Sequence, residues 1–121
     1  MNIQVLEHAL TVCKVRDKKD IDMEAEVYFI GKTDEELSLV CRTEDAPASA
    51  TDRSDGWRGF RVCGVLDFSL TGILAELSGI LADEKIGIFA VSTYNTDYIL
   101  VNAGDLDRAI SALAARGHII V

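Results

Sequence analysis

Two short segments carry polar side chains inside runs that are otherwise apolar: LDFSLTG at 66–72 and STYNTD at 92–97. The first leads into an apolar repeat of helical spacing. The backbone N–H groups of a first helical turn have no intrahelical acceptor and carry partial positive charge, so an anionic group such as an α-carboxylate can bind there. Gly72 would let a ligand approach the backbone closely. The commoner outcome for such a segment is plain capping by Ser69, with Asp67 a turn residue and Gly72 a packing residue. In the second segment Asp97 is the only acid between Lys85 and Gly104. With the hydroxyls of Thr93 and Thr96 beside it, it can pair with an ammonium or guanidinium group. A hairpin turn closed by an Asx-type hydrogen bond accounts for the same residues equally well. Taken together, an anion-binding helix end and a nearby carboxylate suit a zwitterionic amino acid.

Other chemistry has little support. His8 and His118 have no third ligand at useful spacing, so no metal site is expected. The sequence shows no Ser/His/Asp or Cys/His arrangement and no Gly-rich phosphate loop, and Asp67 with Asp97 lacks any reason for a raised pKa. No catalytic residue and no cofactor are expected. The cysteines, Cys13, Cys41 and Cys63, are odd in number, form no CxxC pair and sit in apolar runs. They read as buried small hydrophobes.

The elements that must position the two polar segments follow from periodicity. A strand is expected over 57–65, and Leu70, Ile73, Leu74, Leu77, Ile80 and Leu81 then repeat as the stripe of an amphipathic helix with Ser69 as its N-cap. IFAVST (88–93) and DYILVN (97–102) read as a hairpin, with Asn95 able to adopt positive φ in its turn. A second helix is capped by Asp105, carries Leu106, Ala109, Ile110 and Leu113, and stops at Gly117, after which HIIV forms a last strand. The order β-α-β-β-α-β over 57–121 is the ferredoxin-like arrangement, a four-stranded antiparallel sheet with both helices on one face.

The first half is less regular. IQVLEHALTVCKV reads as two strands breaking near Glu7, with further strands at 27–31 and 37–41. TEDAPASATDRSDG (43–56), which holds the only proline, reads as a linker or surface loop. The expected organisation is therefore a trimmed module over 1–56 and a complete one over 57–121.

Composition agrees with a folded chain. The 121 residues are 49% hydrophobic and 26% charged, with a net charge of -8. Thirteen acids and seven bases fall in 1–56, against seven and five in 57–121. An acidic chain without a Lys/Arg cluster is a poor nucleic-acid ligand. No stretch approaches the roughly 20 apolar residues of a membrane span, and the first residues lack a signal-peptide pattern, so a cytoplasmic protein is expected.

The run LDFSLTGILAELSGILADEKIGIFAVSTYNTDYILV (66–101), with DLDRAISALAARGH (105–118), TDEELSLVC (33–41) and the Trp57-Arg58 pair, resembles the small bacterial tandem ACT-domain proteins, the type found in the eukaryotic cytosolic arginine sensor. The resemblance implies an α+β tandem ACT protein with ferredoxin-like βαββαβ topology and antiparallel sheets. Its first module (1–56) is a truncated, degenerate ACT-like unit, and its second (57–121) is a full ACT domain. It also implies a non-catalytic regulatory role, in which a small ligand, usually an amino acid, binds at an interface between ACT units, in a homodimer. The alternative is an assembly module for a separate metabolic enzyme, without a ligand of its own. Carried over by residue, the ligand loop is Asp67, Phe68, Ser69, Leu70, Thr71 and Gly72, and the facing wall is Thr93, Tyr94, Thr96 and Asp97.

Overall fold

The computed structural model describes residues 1–67 and 72–121. Along the chain run β1 (Asn2–Val5), β2 (Leu10–Lys14), β3 (Tyr28–Lys32), β4 (Leu37–Arg42), β5 (Asp52–Val62), α1 (Ile73–Asp83), β6 (Ile88–Ser92), β7 (Asp97–Asn102), α2 (Leu106–Ala115) and β8 (Ile119–Ile120). They form two units, one of Met1–Glu7 with Arg58–Val121 and one of His8–Trp57.

In the first unit the strands lie in the order β6-β7-β5-β1-β8. Alternate residues point to one face, and Ile3, Phe60, Val62, Ile99 and Val101 are buried there with Leu77, Ile80 and Leu81 of α1 and Leu106, Ala109 and Leu113 of α2. Both helices therefore cover the same face, as the apolar spacing predicts. Ile73 and Leu74 are only half-buried, and Leu70 lies outside the described residues.

The sheet is not the expected four strands. β1 stands between β5 and β8, antiparallel to β5 (Ile3 opposite Val62) and parallel to β8 (Asn2 opposite Ile119). Ile3, 1% exposed, gives the inserted strand its own share of the core. A parallel pair thus enters the otherwise antiparallel pattern, and β8 bonds to β1.

The second unit has strand order β3-β4-β2-β5, with the β3–β4, β4–β2 and β2–β5 pairs antiparallel. This is the ferredoxin-like order with short 3-10 turns at Lys18–Asp20 and Thr43–Asp45 where the first unit has helices. Its core is correspondingly small: Cys13, Val15, Ile21, Leu39 and Cys41. The acidic TDEE segment is a tight turn, with the Thr33 N–H donating to the Glu36 carbonyl at 2.9 Å.

Several local expectations need correction. The 43–56 segment is not a linker throughout, because β5 already begins at Asp52 and pairs with Lys14, Cys13 and Val12 of β2. Backbone pairing to a neighbouring strand here overrides the poor strand propensity of Asp, Ser and Gly. α1 starts at Ile73 behind Gly72, at φ +82 with no side-chain cap; the proposed cap Ser69 lies outside the described residues. Among the described residues the only non-glycine at positive φ is Lys85, so Asn95 does not adopt that conformation. Asp105 precedes α2 but makes no capping bond; its carboxylate accepts from Arg108 at 3.0 Å. Gly117 stops α2 at φ +90 as expected. Among the described residues no helix is long and apolar enough to cross a membrane.

The cysteines divide. Cys13 and Cys41 are buried, but Cys63, just past the end of β5, is half-buried. Burial raises the Cys13 thiol and pushes Cys41 up to about 11, so both stay protonated at neutral pH. In the native protein Cys63 is therefore expected to react with N-ethylmaleimide, while Cys13 and Cys41 react only on unfolding. Mass spectrometry of partly labelled protein checks this, and three equal rates would show the β2 and β4 assignments to be wrong.

Candidate functional site

The two polar segments meet at one end of the first unit. A cavity of about 260 Å³ is lined on one side by Leu66, Asp67, Gly72 and the first turn of α1 (Ile73, Leu74, Ala75), and on the other by Ser92 to Asp97. Of the residues singled out in the sequence, Asp67, Gly72, Thr93, Tyr94, Thr96 and Asp97 are thus brought together. Phe68, Ser69, Leu70 and Thr71 lie outside the described residues.

Four bonds hold the hairpin side in place. Thr96, 7% exposed, donates its hydroxyl to the Val62 carbonyl at 2.7 Å, tying the β6–β7 turn to the end of β5. The Leu66 N–H donates to the Asn95 carbonyl at 2.6 Å, fastening the chain that leaves β5 to the same turn. Within the turn the Thr93 N–H donates to the Thr96 carbonyl at 2.9 Å, and the Thr93 hydroxyl donates to it at 3.0 Å. The cavity wall is consequently a braced hairpin.

On the helix side the Gly72 carbonyl accepts from the Glu76 N–H at 2.8 Å, the first bond of α1. The N–H groups of Ile73, Leu74 and Ala75 precede that ladder and belong to the positive end of the helix dipole. Positive φ at Gly72 explains why glycine stands there, since an L side chain is strained in that region. A Cβ built on Gly72 meets nothing within 4 Å, so the requirement is conformational rather than one of space.

Asp97 is half-buried, and its Oδ1 accepts the Ser92 hydroxyl at 2.6 Å. Ser92 and Asp97 are paired across the hairpin. An ionised carboxylate takes several hydrogen bonds, so one hydroxyl orients Asp97 without saturating it. Tyr94 is 78% exposed at the rim. The charged lining residues are both acids, Asp67 and Asp97, facing a helix N-terminus. That combination favours a ligand bearing both a cationic and an anionic group.

Sequence reasoning missed Ser92 as the partner that aims Asp97, although it opens the STYNTD segment; its position opposite Asp97 in a short hairpin was the available signal. Ile73 and Leu74 enter the sequence reading only as helix stripe, and Ala75 not at all. Among the described residues no group of His, Cys, Asp and Glu is arranged to hold a metal ion.

Comparisons with known proteins agree with this architecture. A family model described as the ACT domain matches residues 52–115. A crystal structure of an Agobacterium tumefaciens protein is 29% identical and superposes with a TM-score of 0.87, covering 99% of this chain and 91% of that one. A Vibrio cholerae protein, described as of unknown function and a possible transport protein, is 20% identical with a TM-score of 0.76, over 92% and 85% of the two chains. The ligand-free regulatory subunit of aspartate kinase from Thermus thermophilus shares the fold at 9% identity, with a TM-score of 0.65 over 93% and 95%. No curated protein sequence matches.

The brace itself can be tested. Thr96→Val keeps the shape but removes the donor to the Val62 carbonyl, and should cost about 1–2 kcal/mol in urea unfolding. A variant as stable as the native chain would mean that this bond does not hold the hairpin.

Proposed function

The chain belongs to the ACT domain family, and from that premise we propose that it is a non-catalytic regulatory protein that binds an amino acid in the cavity between the start of α1 and the β6–β7 hairpin. The lining of that one cavity carries the reading: a helix N-terminus and two carboxylates converge on a space of about 260 Å³. In this reading the ligand's α-carboxylate lies against the first turn of α1, beside the loop 67–72. Asp97, oriented by Ser92, pairs with a cationic group, either the α-ammonium or a basic side chain. Thr93, Tyr94 and Thr96 complete the wall.

The unit of His8–Trp57 is read as a trimmed ACT-like module, which makes the chain a tandem. Its strand order, with 3-10 turns at the helix positions, supports this. The protein is further proposed to act as a homodimer, with ligand bound at an interface between ACT units. Exposure of Val65 and Tyr94, at 72% and 78%, supports a rim that a second copy covers.

A thermal-shift screen of the twenty common amino acids tests the reading. A ligand at 100 times its Kd should add about 2.7 kcal/mol of stability. Asp97→Asn should then leave the Tm of the free protein nearly unchanged but weaken binding by about 1.5–3 kcal/mol in calorimetry. Unchanged affinity would move the ligand away from this hairpin and favour a pure assembly module. Light scattering should give twice the mass of the chain at micromolar concentration, and a monomer mass would remove the homodimer.

A further inference from the structure

A second cavity, of about 370 Å³, opens on the other side of the same hairpin turn; Gln4, Arg61, Cys63, Gly64 and Tyr98 contribute to its lining. Gln4 and Arg61 are cross-strand partners of β1 and β5. Because Ile3, Val62 and Ile99 point toward the helices, Gln4, Arg61 and Tyr98 lie on the opposite face of the sheet. The Thr96–Val62 and Leu66–Asn95 bonds stand where the linings of the two cavities meet.

Arg61 is half-buried, and neutral groups orient its guanidinium. Its Nε donates to Gln4 Oε1 at 2.9 Å and its Nη1 to the Tyr98 hydroxyl at 3.3 Å. Among the described residues no carboxylate pairs with it. Two other arginines of the same unit do have one: Arg108 pairs with Asp105 at 3.0 Å and Arg116 with Asp83 at 3.3 Å. In a chain of net charge -8, a partly desolvated guanidinium without a counter-ion, lining a cavity, has an unmet demand for negative charge. Two neutral acceptors occupy only part of the donor fork, and its remaining N–H groups match the paired oxygens of a carboxylate or phosphate. Gly64, at φ +91 with nothing within 4 Å of a Cβ built on it, leaves the backbone approach open.

We propose that this cavity is an oxyanion site, separate from the amino-acid cavity, which binds a small carboxylate- or phosphate-bearing molecule through Arg61, held in place by Gln4 and Tyr98. The ordinary range of small-molecule sites, roughly 300–1,000 Å³, accommodates such a ligand. The proposal does not depend on what binds beside Asp97.

Cys63, a free thiol in the same lining, supplies the reporter. The native protein is alkylated with N-ethylmaleimide at fixed ionic strength in chloride, inorganic phosphate or succinate. Phosphate or succinate is expected to slow Cys63 labelling, and whichever does so identifies the class of ligand. Arg61→Gln should weaken that protection about tenfold or more, the loss of one charge-assisted contact. Arg61→Lys, which keeps the charge but not the fork, should retain part of it, and Asp97→Asn should leave it intact. In the unmodified chain the Arg61 Nε–Hε resonance should move on titration with the protecting anion, which keeps the test valid if the variants fold poorly. Neither anion slowing the labelling, an unmoved Arg61 resonance, or equal protection in Arg61→Gln would overturn the site. Protection lost in Asp97→Asn would merge it with the first cavity and overturn its separateness.

Discussion

The hydrogen bond from the Thr96 hydroxyl to the Val62 carbonyl, 2.7 Å long and buried, is the constraint on which the hairpin end of the larger unit depends. It joins the turn of one hairpin to the last residue of β5, the point where the chain departs for α1. A threonine in a turn normally faces water, and burying its hydroxyl is tolerable because it meets a backbone acceptor. Once that contact is made, the hairpin can neither swing away from the start of α1 nor close onto it. The space beside Asp97 and the space beside Arg61 both follow from this spacing.

Charge is sorted around the brace. The cavity beside α1 collects Asp67, Asp97 and the positive end of a helix; the one on the opposite side carries a guanidinium whose partners in the structure are neutral. Several other cations in the chain are neutralised locally. Arg42, for example, is shared among Asp45, Glu44 and Glu26 at 2.7 to 3.8 Å. In the smaller unit Asp55, held by the Thr11 hydroxyl at 2.6 Å and by Arg53 at 2.9 Å, has its carboxyl lowered below the usual range by those bonds. Such pairs join opposite charges, whereas the side-chain partners of Asp97 and Arg61 among the described residues are neutral.

Much of this was legible in the residues. The stripe of Leu77, Ile80 and Leu81, the repeat of Leu106, Ala109 and Leu113, and the alternation along 97–102 are local periodicities, and they predict the helices, the hairpin and the buried face. The polar segments 66–72 and 92–97 stood out because their composition conflicts with their surroundings. What could not be read was non-local. Nothing near Ile3 says that β1 will lie between β5 and β8, since its partners stand some sixty residues and more away in the chain. Asp52 to Asp55 have loop composition and become strand because β2 is there to receive them. Ser92 gains its role from standing opposite Asp97, and the charge balance of Arg61 is visible only once the open face of the sheet is assembled.

The position of β1 also bears on the order in which the chain can acquire structure. Residues 8–57 form one unit from a continuous segment, whereas the other needs Ile3 against Val62 and Asn2 against Ile119. Closing such long loops costs entropy before any contact returns it, so pairings of high sequence separation form slowly. During synthesis, the N-terminal strand must therefore wait until nearly all of the chain exists before β8 can take its place beside it, while the smaller unit can assemble in the interval. Docking of β1 and β8 then completes the sheet whose β6–β7 hairpin lines both cavities, so a chain that has not yet docked β1 holds a folded small unit and a second cavity still lacking Gln4.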